Sequence, residues 1–457
     1  MIVMKFGGTS VESAAAIRRV AGIVQARESL RPLVVVSAMG KTTNRLLAAA
    51  DKAAAGNLDA AHRDAEELEA LHRREAGSIL PSSRHLEMDA LLEREFSDLE
   101  KTLASIAEAG AVTPRLWDET LSYGERLSSA LIAMIFQSLG LRATHVDARQ
   151  ILVTDGRHTQ ALPLYGRTYA RFHDRVAPLL ADSVVVMGGF IGATADGVAT
   201  TLGRGGSDFS AAIAGAGIGA TEIQIWTDVD GMLTCDPRIV PGGHRLKTIS
   251  FNEAAELAYF GAKVLHPSTV VPAVEKNIPV RILNSRQPDV EGTLIVSGIV
   301  HSTNPVKSIS CKRGITVVNI RSLRMLMAYG FLRRIFEVFD RYRTPVDMVA
   351  TTEVSVSLTI DQTQALAEIE AELSKIAEVT VTPQQAVVCL VGEALSETPG
   401  IGARIFAALR DINIRMISQG ASRLNISVVV NDDDLARAVG ALHQEFFSAL
   451  DPKIFET

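Results

Sequence analysis

Features that would assign this 457-residue chain to a specialised class are scarce in its sequence. It holds only three cysteines (Cys235, Cys311 and Cys389), and their odd number and wide spacing fit neither a disulfide framework nor a metal site. No apolar run approaches the roughly 18 residues that cross a bilayer, and the first residues lack a signal-peptide pattern. We therefore expect a cytoplasmic protein that has no membrane partner.

The chain also lacks an excess of basic charge. Its net charge of −6 gives no support to nucleic-acid binding as the main task. A hydrophobic content of 47% with 21% charged residues is ordinary for a globular protein, and the length exceeds what one average core holds. The composition therefore indicates a globular protein of two or three domains without a nucleic-acid partner.

The segment Lys5-Phe6-Gly7-Gly8-Thr9 is the most informative feature that is present. It follows the apolar residues Ile2–Met4, which predict a buried strand, and it precedes a helical pattern over residues 14–24. Glycines expose backbone N–H groups to an anion, a helix N-terminus adds its positive dipole, and Lys5 supplies a full charge. The layout favours a phosphate site, although an ordinary strand–turn–helix with a solvated lysine fits this segment alone equally well.

Short β-branched runs alternate with helical stretches up to about residue 296. The predicted strands are Ile2–Met4, Leu33–Ser37, Val184–Met187, Ile223–Thr227, Val280–Leu283 and Gly292–Val296. Nearly continuous apolar strands separated by helices predict a parallel sheet that is covered on both faces. Residues 46–110 show helical periodicity with almost no strand signal, so we expect a helical excursion beside the sheet.

The chain changes character after a predicted linker at Ser302–Ser310. The stretch from Gly330 to Phe336 opens a helix that leads to an alternating strand, and the stretch from Gly400 to Phe406 opens the same succession 70 residues later. A period of this length suits two copies of one small α+β unit. Two unrelated helix–strand units remain the alternative.

A second glycine-rich turn lies near the predicted sheet edge, where open α/β sheets bind ligands. It runs from Gly203 to Asp208 and is predicted to open a helix over Phe209–Ala216, with Ser207 or Asp208 as its cap. An arginine binds a carboxylate bidentately, and an acidic group binds an ammonium. Arg204 and a carboxylate beside two such turns therefore suit a zwitterionic substrate next to a nucleotide.

Four motifs, in this order, resemble those of the aspartate kinase family. They are Lys5-Phe6-Gly7-Gly8-Thr9-Ser10, Gly203-Arg204-Gly205-Gly206-Ser207-Asp208, Trp226-Thr227-Asp228-Val229 and Phe260-Gly261-Ala262-Lys263-Val264-Leu265-His266-Pro267. The resemblance covers essentially the whole chain. It is greatest to the lysine-sensitive monofunctional class, because Thr352-Glu353-Val354-Ser355-Val356-Ser357 lies in the first repeat.

The resemblance implies an α/β fold: an amino-acid-kinase fold, with a mostly parallel sheet between helices, followed by two α+β ferredoxin-like ACT domains. It implies a kinase domain over residues 1–298, a first, effector-binding ACT domain over 312–384 and a second over 385–457. A strand from about 304–311 would complete the second ACT domain. A homodimer, or a dimer of dimers, through the ACT domains is the expected assembly.

The implied activity is transfer of the ATP γ-phosphoryl group, with Mg²⁺, to the β-carboxylate of L-aspartate to give 4-phospho-L-aspartate. A carboxylate is already anionic at neutral pH, so the absence of an evident general base among the motifs agrees with this chemistry. Two alternatives are a kinase of the same fold that acts on a different small acid, and a non-catalytic amino-acid sensor.

The resemblance also assigns roles to single residues. Lys5 and Asp208 are the expected catalytic residues, and no metal-ligating residue is predicted. The aspartate site is expected to comprise Thr43, Glu125, Arg204 and Ser207. The nucleotide site is expected to comprise Lys5, Phe6, Gly7, Gly8, Thr227, Asp228, Leu233, Arg238, Lys263 and Val264. Leu233 departs from the tyrosine usual in the family, and a longer loop over 38–43 leaves the choice between Thr42 and Thr43 open.

Regulation by an end-product amino acid, with lysine favoured, is a further implication. The expected effector residues are Met325, Gly330, Phe331, Leu332, Val346, Asp347, Thr352 and Glu353. Asp347 and Glu353 could bind an ammonium, whereas the second repeat has Ile417 and an uncharged stretch over 419–422 at the matching positions. We therefore expect one class of effector site, which the first repeat provides.

Overall fold

The structure is a computed structural model that describes residues 1–261, 267–322 and 329–456. Three residues with predicted roles lie outside the described residues: Lys263, Val264 and Met325. The chain forms two compact units, one of Met1–Met232 with Val264–Ser297 and one of Leu233–Lys263 with Gly298–Thr457. The N-terminal unit and the predicted kinase domain, residues 1–298, thus differ in the segment Leu233–Lys263 and in Gly298, and the domain limits stay a prediction.

The N-terminal unit is built on a largely parallel sheet. Its strands are β1 (Ile2–Phe6), β2 (Pro32–Val36), β3 (Ala143–Val146), β4 (Val184–Gly188), β7 (Glu222–Thr227), β9 (Val280–Asn284) and β10 (Thr293–Val296). They follow the order β3-β4-β2-β1-β7-β9-β10, in which β10 alone pairs antiparallel with its neighbour β9. A separate hairpin joins β5 (Ile191–Ala193) to β6 (Ala199–Thr201). The predicted parallel sheet is confirmed.

Helices cover this sheet and extend beyond it. They are α1 (Ala14–Gln25), α2 (Thr42–Ala54), α3 (Leu58–Gly77), α4 (His85–Ala109), α5 (Pro114–Ser138), α6 (Tyr165–Arg171), α7 (Gly206–Ile218) and α9 (Val271–Glu275). The predicted helical excursion is confirmed as α2, α3 and α4, which share one core with β1 and β2. None of the described helices is long and apolar enough to span a membrane.

The structure differs from the prediction at the start of α7 and adds one strand that was not predicted. Helix α7 begins at Gly206 instead of Phe209, and its N-cap is Gly205, whose φ of 72° lies in the left-handed region that glycine adopts without strain. Neither Ser207 nor Asp208 caps the helix. Strand β3 was not predicted, because its partly exposed residues alternate in polarity weakly and lack an apolar run.

The C-terminal unit contains a six-stranded antiparallel sheet with the order β12-β13-β11-β14-β16-β15. Its strands are β11 (Ser308–Arg321), β12 (Val349–Thr351), β13 (Ser355–Ile360), β14 (Glu378–Val391), β15 (Met416–Gln419) and β16 (Asn425–Asn431). The helices are α8 (Phe251–Tyr259), which follows the short strand β8 (Thr248–Ser250), and α10 (Phe331–Arg341), α11 (Leu366–Leu373), α12 (Ile401–Ala408) and α13 (Leu435–Phe447).

Two long strands, β11 and β14, serve both repeats of this sheet. The second half of β11 lies between β13 and the residues 378–385 of β14, and Ser308–Lys312 in its first half pairs with Val387–Val391 of β14. β14 then pairs with β16 of the second repeat. The predicted linker at Ser302–Ser310 was therefore wrong at its C-terminal end, because Ser308–Ser310 already belong to a strand.

Candidate active site

A cavity of about 860 Å³ opens at the carboxyl ends of β1, β2 and β4. Lys5 and Gly8 reach it from the end of β1, Ser37 follows β2, and Phe190 follows β4. The turn before α7 and the first turn of that helix form a further side. Because parallel strands end at one edge of the sheet, residues that are far apart in sequence meet here.

The centre of the cavity is an ion pair between Lys5 and Asp208. The Lys5 Nζ lies 2.6 Å from Asp208 Oδ1, and the two side chains are only 12% and 15% exposed. A lysine in a central strand needs a charged partner because burial removes its hydration. Asp208 supplies that partner from the first turn of α7, where a carboxylate also interacts favourably with the helix dipole.

Gly8 lets the backbone of this turn pass close to the loop after β2. A Cβ at Gly8 would lie 3.0 Å from the carbonyl oxygen of Ala38 and 3.1 Å from that of Gly40, so a side chain would push the loop away. The Gly40 N–H donates to the Gly8 carbonyl at 3.1 Å. Gly7 and Gly8 thus bring main chain next to the Lys5 ammonium, as a phosphate site requires.

Glu125 is a buried carboxyl that lacks one of its partners. It projects from α5, and its Oε1 accepts the Ala38 N–H at 3.1 Å, whereas its Oε2 accepts no hydrogen bond from any residue that the structure describes. Burial raises the pKa of Glu125 to about 8, and the Ala38 N–H offsets only part of that rise. A cation in the cavity, such as an ammonium, would supply the missing partner.

Arg204 is exposed at the cavity and forms no ion pair with any of the residues that the structure describes. Its guanidinium is therefore available for a ligand carboxylate. Ser207 also lines the cavity, and the Ser37 hydroxyl donates to its Oγ at 3.0 Å. The two candidate threonines differ. Thr43 lines the cavity, while Thr42 is buried and donates its hydroxyl to the Met39 carbonyl at 2.7 Å.

The predicted nucleotide residues belong to both compact units. Phe6 is fully buried and stacks on Trp226 with ring centroids 5.8 Å apart, so only its backbone could meet a ligand. Thr227 ends β7 and donates its hydroxyl to the exposed Asp228 at 3.2 Å. Leu233 and Arg238 belong to the other compact unit, where the exposed guanidinium of Arg238 binds Asp236 bidentately.

Several residues that line the cavity are not among the predicted site residues. They are Trp117, Thr159, Gln160, Phe190 and Thr201. Phe190 follows two glycines at the end of β4, so its place beside a ligand site was open to prediction. Thr159 and Gln160 lie in a loop without periodicity, and no signal in the sequence points to them.

Most of the predicted effector residues lie in two segments of the first repeat, residues 330–332 and residues 346–353. Gly330 is the N-cap of α10 with a φ of 76°, Phe331 is buried, and Leu332 is 40% exposed. The Thr352 hydroxyl lies 2.7 Å from that of Ser355, and Val346 is half-buried.

The two acidic effector residues are in different states. The Asp347 carboxylate already accepts hydrogen bonds from Lys312 Nζ at 3.1 Å and from the Tyr259 hydroxyl at 3.3 Å. Glu353 is exposed and forms no ion pair with any described residue. Only Glu353 therefore offers a carboxylate to a ligand without first losing a partner.

Residues 1–284 of the chain match the amino acid kinase family, and residues 388–446 match the ACT domain. Aspartokinase 2 of Arabidopsis thaliana, a chloroplastic protein, is 39% identical over 97% of this chain and 84% of its own length. Lysine-sensitive aspartokinase 3 of Escherichia coli K12 is 37% identical over 98% of this chain and 99% of its own.

Solved structures give the same result. The structure of E. coli aspartokinase III in complex with lysine and aspartate superposes with a TM-score of 0.86 at 34% identity and covers 98% of this chain and all of its own. The structure of that enzyme with aspartate and ADP gives a TM-score of 0.81 at 35% identity, with the same coverage.

The raised pKa of Glu125 predicts a pH-dependent stability. The folded chain keeps a proton on Glu125 up to a pH of about 8, whereas the unfolded chain releases it near the ordinary pKa of 4.5. The free energy of unfolding should therefore fall as the pH rises through this window. The substitution Glu125→Gln removes this titration. The melting temperature of the variant minus that of the wild type should therefore increase between pH 5 and pH 9.

The matched control is Glu93→Gln, which changes an exposed carboxylate of α4 in the same unit. Its melting temperature should run parallel to that of the wild type over the same range. Parallel curves for Glu125→Gln as well would contradict a protonated Glu125 in the folded chain.

Proposed function

The chain belongs to the amino acid kinase family and is an aspartate kinase, and from that premise we propose how its residues divide the reaction between them. The enzyme transfers the γ-phosphoryl group of ATP to the β-carboxylate of L-aspartate and forms 4-phospho-L-aspartate, on the route to lysine, threonine and methionine. One observation carries the assignment of residues: Lys5, Arg204 and Glu125 line the same cavity.

Aspartate binds through two charged groups of opposite sign. Arg204 binds a carboxylate of the substrate, and Glu125 binds the α-ammonium through its Oε2, which accepts no hydrogen bond from the described part of the chain. Thr43 and Ser207 complete the pocket with hydroxyls. Because Glu125 has a pKa of about 8 in the free cavity, binding of the ammonium at neutral pH releases a proton from this carboxyl.

Phosphoryl transfer depends on position and charge. The substrate carboxylate is itself the nucleophile, so no side chain has to remove a proton. Lys5 neutralises charge on the transferring group, and the backbone amides of Gly7 and Gly8 lie beside it. Asp208 orients the Lys5 ammonium, from which it is 2.6 Å away, and takes no part in bond making.

The nucleotide residues proposed from the family resemblance are Thr227, Asp228, Leu233, Arg238, Lys263 and Val264, together with the turn after β1. The described residues contain no cluster of three histidine, cysteine or acidic side chains that could hold a metal ion. Mg²⁺ binds chiefly to nucleotide phosphates and water with few protein ligands, so the phosphates of ATP would hold it. When bound, Mg²⁺ supplies neutralisation of phosphate charge.

An amino acid, with lysine favoured, inhibits the enzyme through the first repeat of a cytoplasmic homodimer or dimer of dimers. The lysine-sensitive E. coli relative and its structure with lysine support this effector. Glu353 binds the effector ammonium. Asp347 binds it as well only when its hydrogen bond from Lys312 is broken.

Helix α8 contacts the proposed effector site and precedes two of the proposed nucleotide residues in the sequence. Its last residue, Tyr259, donates to Asp347 of the first repeat, and Glu256 accepts hydrogen bonds from Ser422 at 2.7 Å and Asn425 at 2.6 Å in the second repeat. Lys263 and Val264 follow α8 in the sequence. A ligand that takes Asp347 from Tyr259 therefore alters the helix that leads to these residues.

The first test concerns Lys5. Lys5→Met should lower kcat by about 100- to 1,000-fold with a much smaller change in the KM for aspartate, since it removes one electrostatic group that acts on the transition state. Steady-state kinetics with an ADP readout measures both. Lys276→Met, an exposed lysine of the same unit, is the control. A kcat near that of the wild type would contradict the role of Lys5.

Arg204 makes a contact in both ground and transition states. Arg204→Ala should therefore raise the KM for aspartate by about 10- to 100-fold, the equivalent of one charge-assisted hydrogen bond, and leave the KM for ATP within about twofold. Arg238→Ala is the reciprocal variant and should raise the KM for ATP alone. A reversed pattern in the two variants would mean that the two sites are assigned the wrong way round.

Regulation is tested by separating binding from inhibition. Glu353→Ala should abolish lysine binding in titration calorimetry while uninhibited kcat stays near wild type, because the residue lies outside the catalytic cavity. Tyr259→Phe should keep lysine binding but weaken inhibition, because it removes the hydroxyl that joins α8 to Asp347.

The control is Glu370→Ala, an exposed carboxylate on α11 of the same repeat. Wild-type enzyme that binds threonine or methionine but not millimolar lysine would contradict lysine as effector. Absence of binding by all three amino acids would contradict the regulatory role of the repeats.

A further inference from the structure

Asp118 is a fully buried carboxylate on α5 for which the reaction described above has no use. Three of the described residues donate hydrogen bonds to it. The Thr201 hydroxyl donates to Oδ1 at 2.6 Å, the His158 Nδ1–H donates to Oδ2 at 2.7 Å, and the Thr159 N–H lies 3.0 Å from each oxygen. A buried carboxylate with several such donors holds them firmly, because each bond is charge-assisted.

These donors come from two separate segments that border the aspartate cavity. His158 and Thr159 lie in the loop after β3, and Thr201 is the last residue of β6. Thr159 and Thr201 line the cavity, whereas Asp118 does not. Thr159 also has a φ of 72°, a conformation that a threonine adopts only when its surroundings impose it. The hydrogen bonds from its N–H to Asp118 hold it in this conformation.

The loop held in this way supports the turn that carries Arg204. Gly203 packs against it so closely that a Cβ would lie 3.2 Å from the Thr159 carbonyl oxygen and 3.3 Å from Gln160 Cγ. The Ala161 N–H donates to the Thr201 carbonyl at 2.9 Å and joins the loop to the strand that leads into the turn. A shift of Thr159 or Thr201 would therefore move Gly203, and Arg204 with it.

We propose that Asp118 is a positioning residue for aspartate binding, which fixes the Thr159 loop and Thr201 so that the Arg204 guanidinium meets the substrate carboxylate. It acts through Arg204 and does not touch the substrate. This inference rests on the proposed role of Arg204. It differs from a purely structural role, because it predicts an effect on one substrate and a dependence on one other residue.

The test is a double-mutant cycle on the KM for aspartate with Asp118→Asn and Arg204→Ala. Asp118→Asn keeps the shape of the side chain but turns one acceptor into a donor that faces N–H groups. It should raise the KM for aspartate by about tenfold or more, leave the KM for ATP within about twofold, and have little further effect once Arg204 is alanine. Glu119→Gln, the neighbouring carboxylate that faces Arg126 at 3.5 Å, is the matched control.

The outcomes separate the inference from the proposed function. If Arg204→Ala leaves the KM for aspartate unchanged, the role of Arg204 fails, and the inference fails with it. If Arg204→Ala raises this KM while Asp118→Asn does not, or if the two effects add, only the inference is overturned. Equal changes in both KM values would also overturn it. Should Asp118→Asn fail to fold, His158→Ala removes a single donor and should raise the KM for aspartate by a smaller factor, again only while Arg204 is present.

Discussion

The ion pair between Lys5 and Asp208 is the interaction around which the rest of the active site is arranged. Two charged side chains that are mostly removed from water are stable only as partners, so the end of β1 and the start of α7 must keep one relative position. The turn that precedes α7 carries Arg204, and the loop that packs on Gly8 carries Ala38, the donor to Glu125. A displacement of α7 would therefore disturb the proposed phosphoryl site and the proposed aspartate site together.

The cavity holds its three main charged groups in three different states. Lys5 is paired within the chain, Arg204 is exposed without an ionic partner among the described residues, and Glu125 is buried with a pKa raised to about 8. In the function proposed here, a zwitterionic substrate supplies a carboxylate to the guanidinium and an ammonium to the carboxyl. Substrate specificity would then follow from Arg204 and Glu125, and catalysis would use Lys5, whose position the ion pair already fixes.

Much of the architecture could be predicted because it depends on local patterns. Apolar β-branched runs separated by helical stretches gave the parallel sheet, and the 70-residue period gave the paired α+β repeats. The errors fell where local pattern and tertiary context disagree. β3 is a partly exposed strand without an apolar run, α7 starts at Gly206 because Gly205 adopts a left-handed conformation, and Ser308–Ser310 become strand because β14 offers them a partner.

The sequence by itself determined the family and the order of the kinase and ACT regions, because glycine-rich turns beside Lys5 and Arg204 are short-range features that can be read directly from the chain. Only the tertiary structure decided which partners each group has. Asp347 accepts hydrogen bonds from Lys312 and Tyr259, while Glu353 is exposed. Thr43 lines the cavity, while Thr42 is buried. Asp118 accepts hydrogen bonds from two segments that are distant in sequence. These differences arise because burial and hydrogen bonding depend on which segments pack together, and a local sequence pattern does not predict this packing.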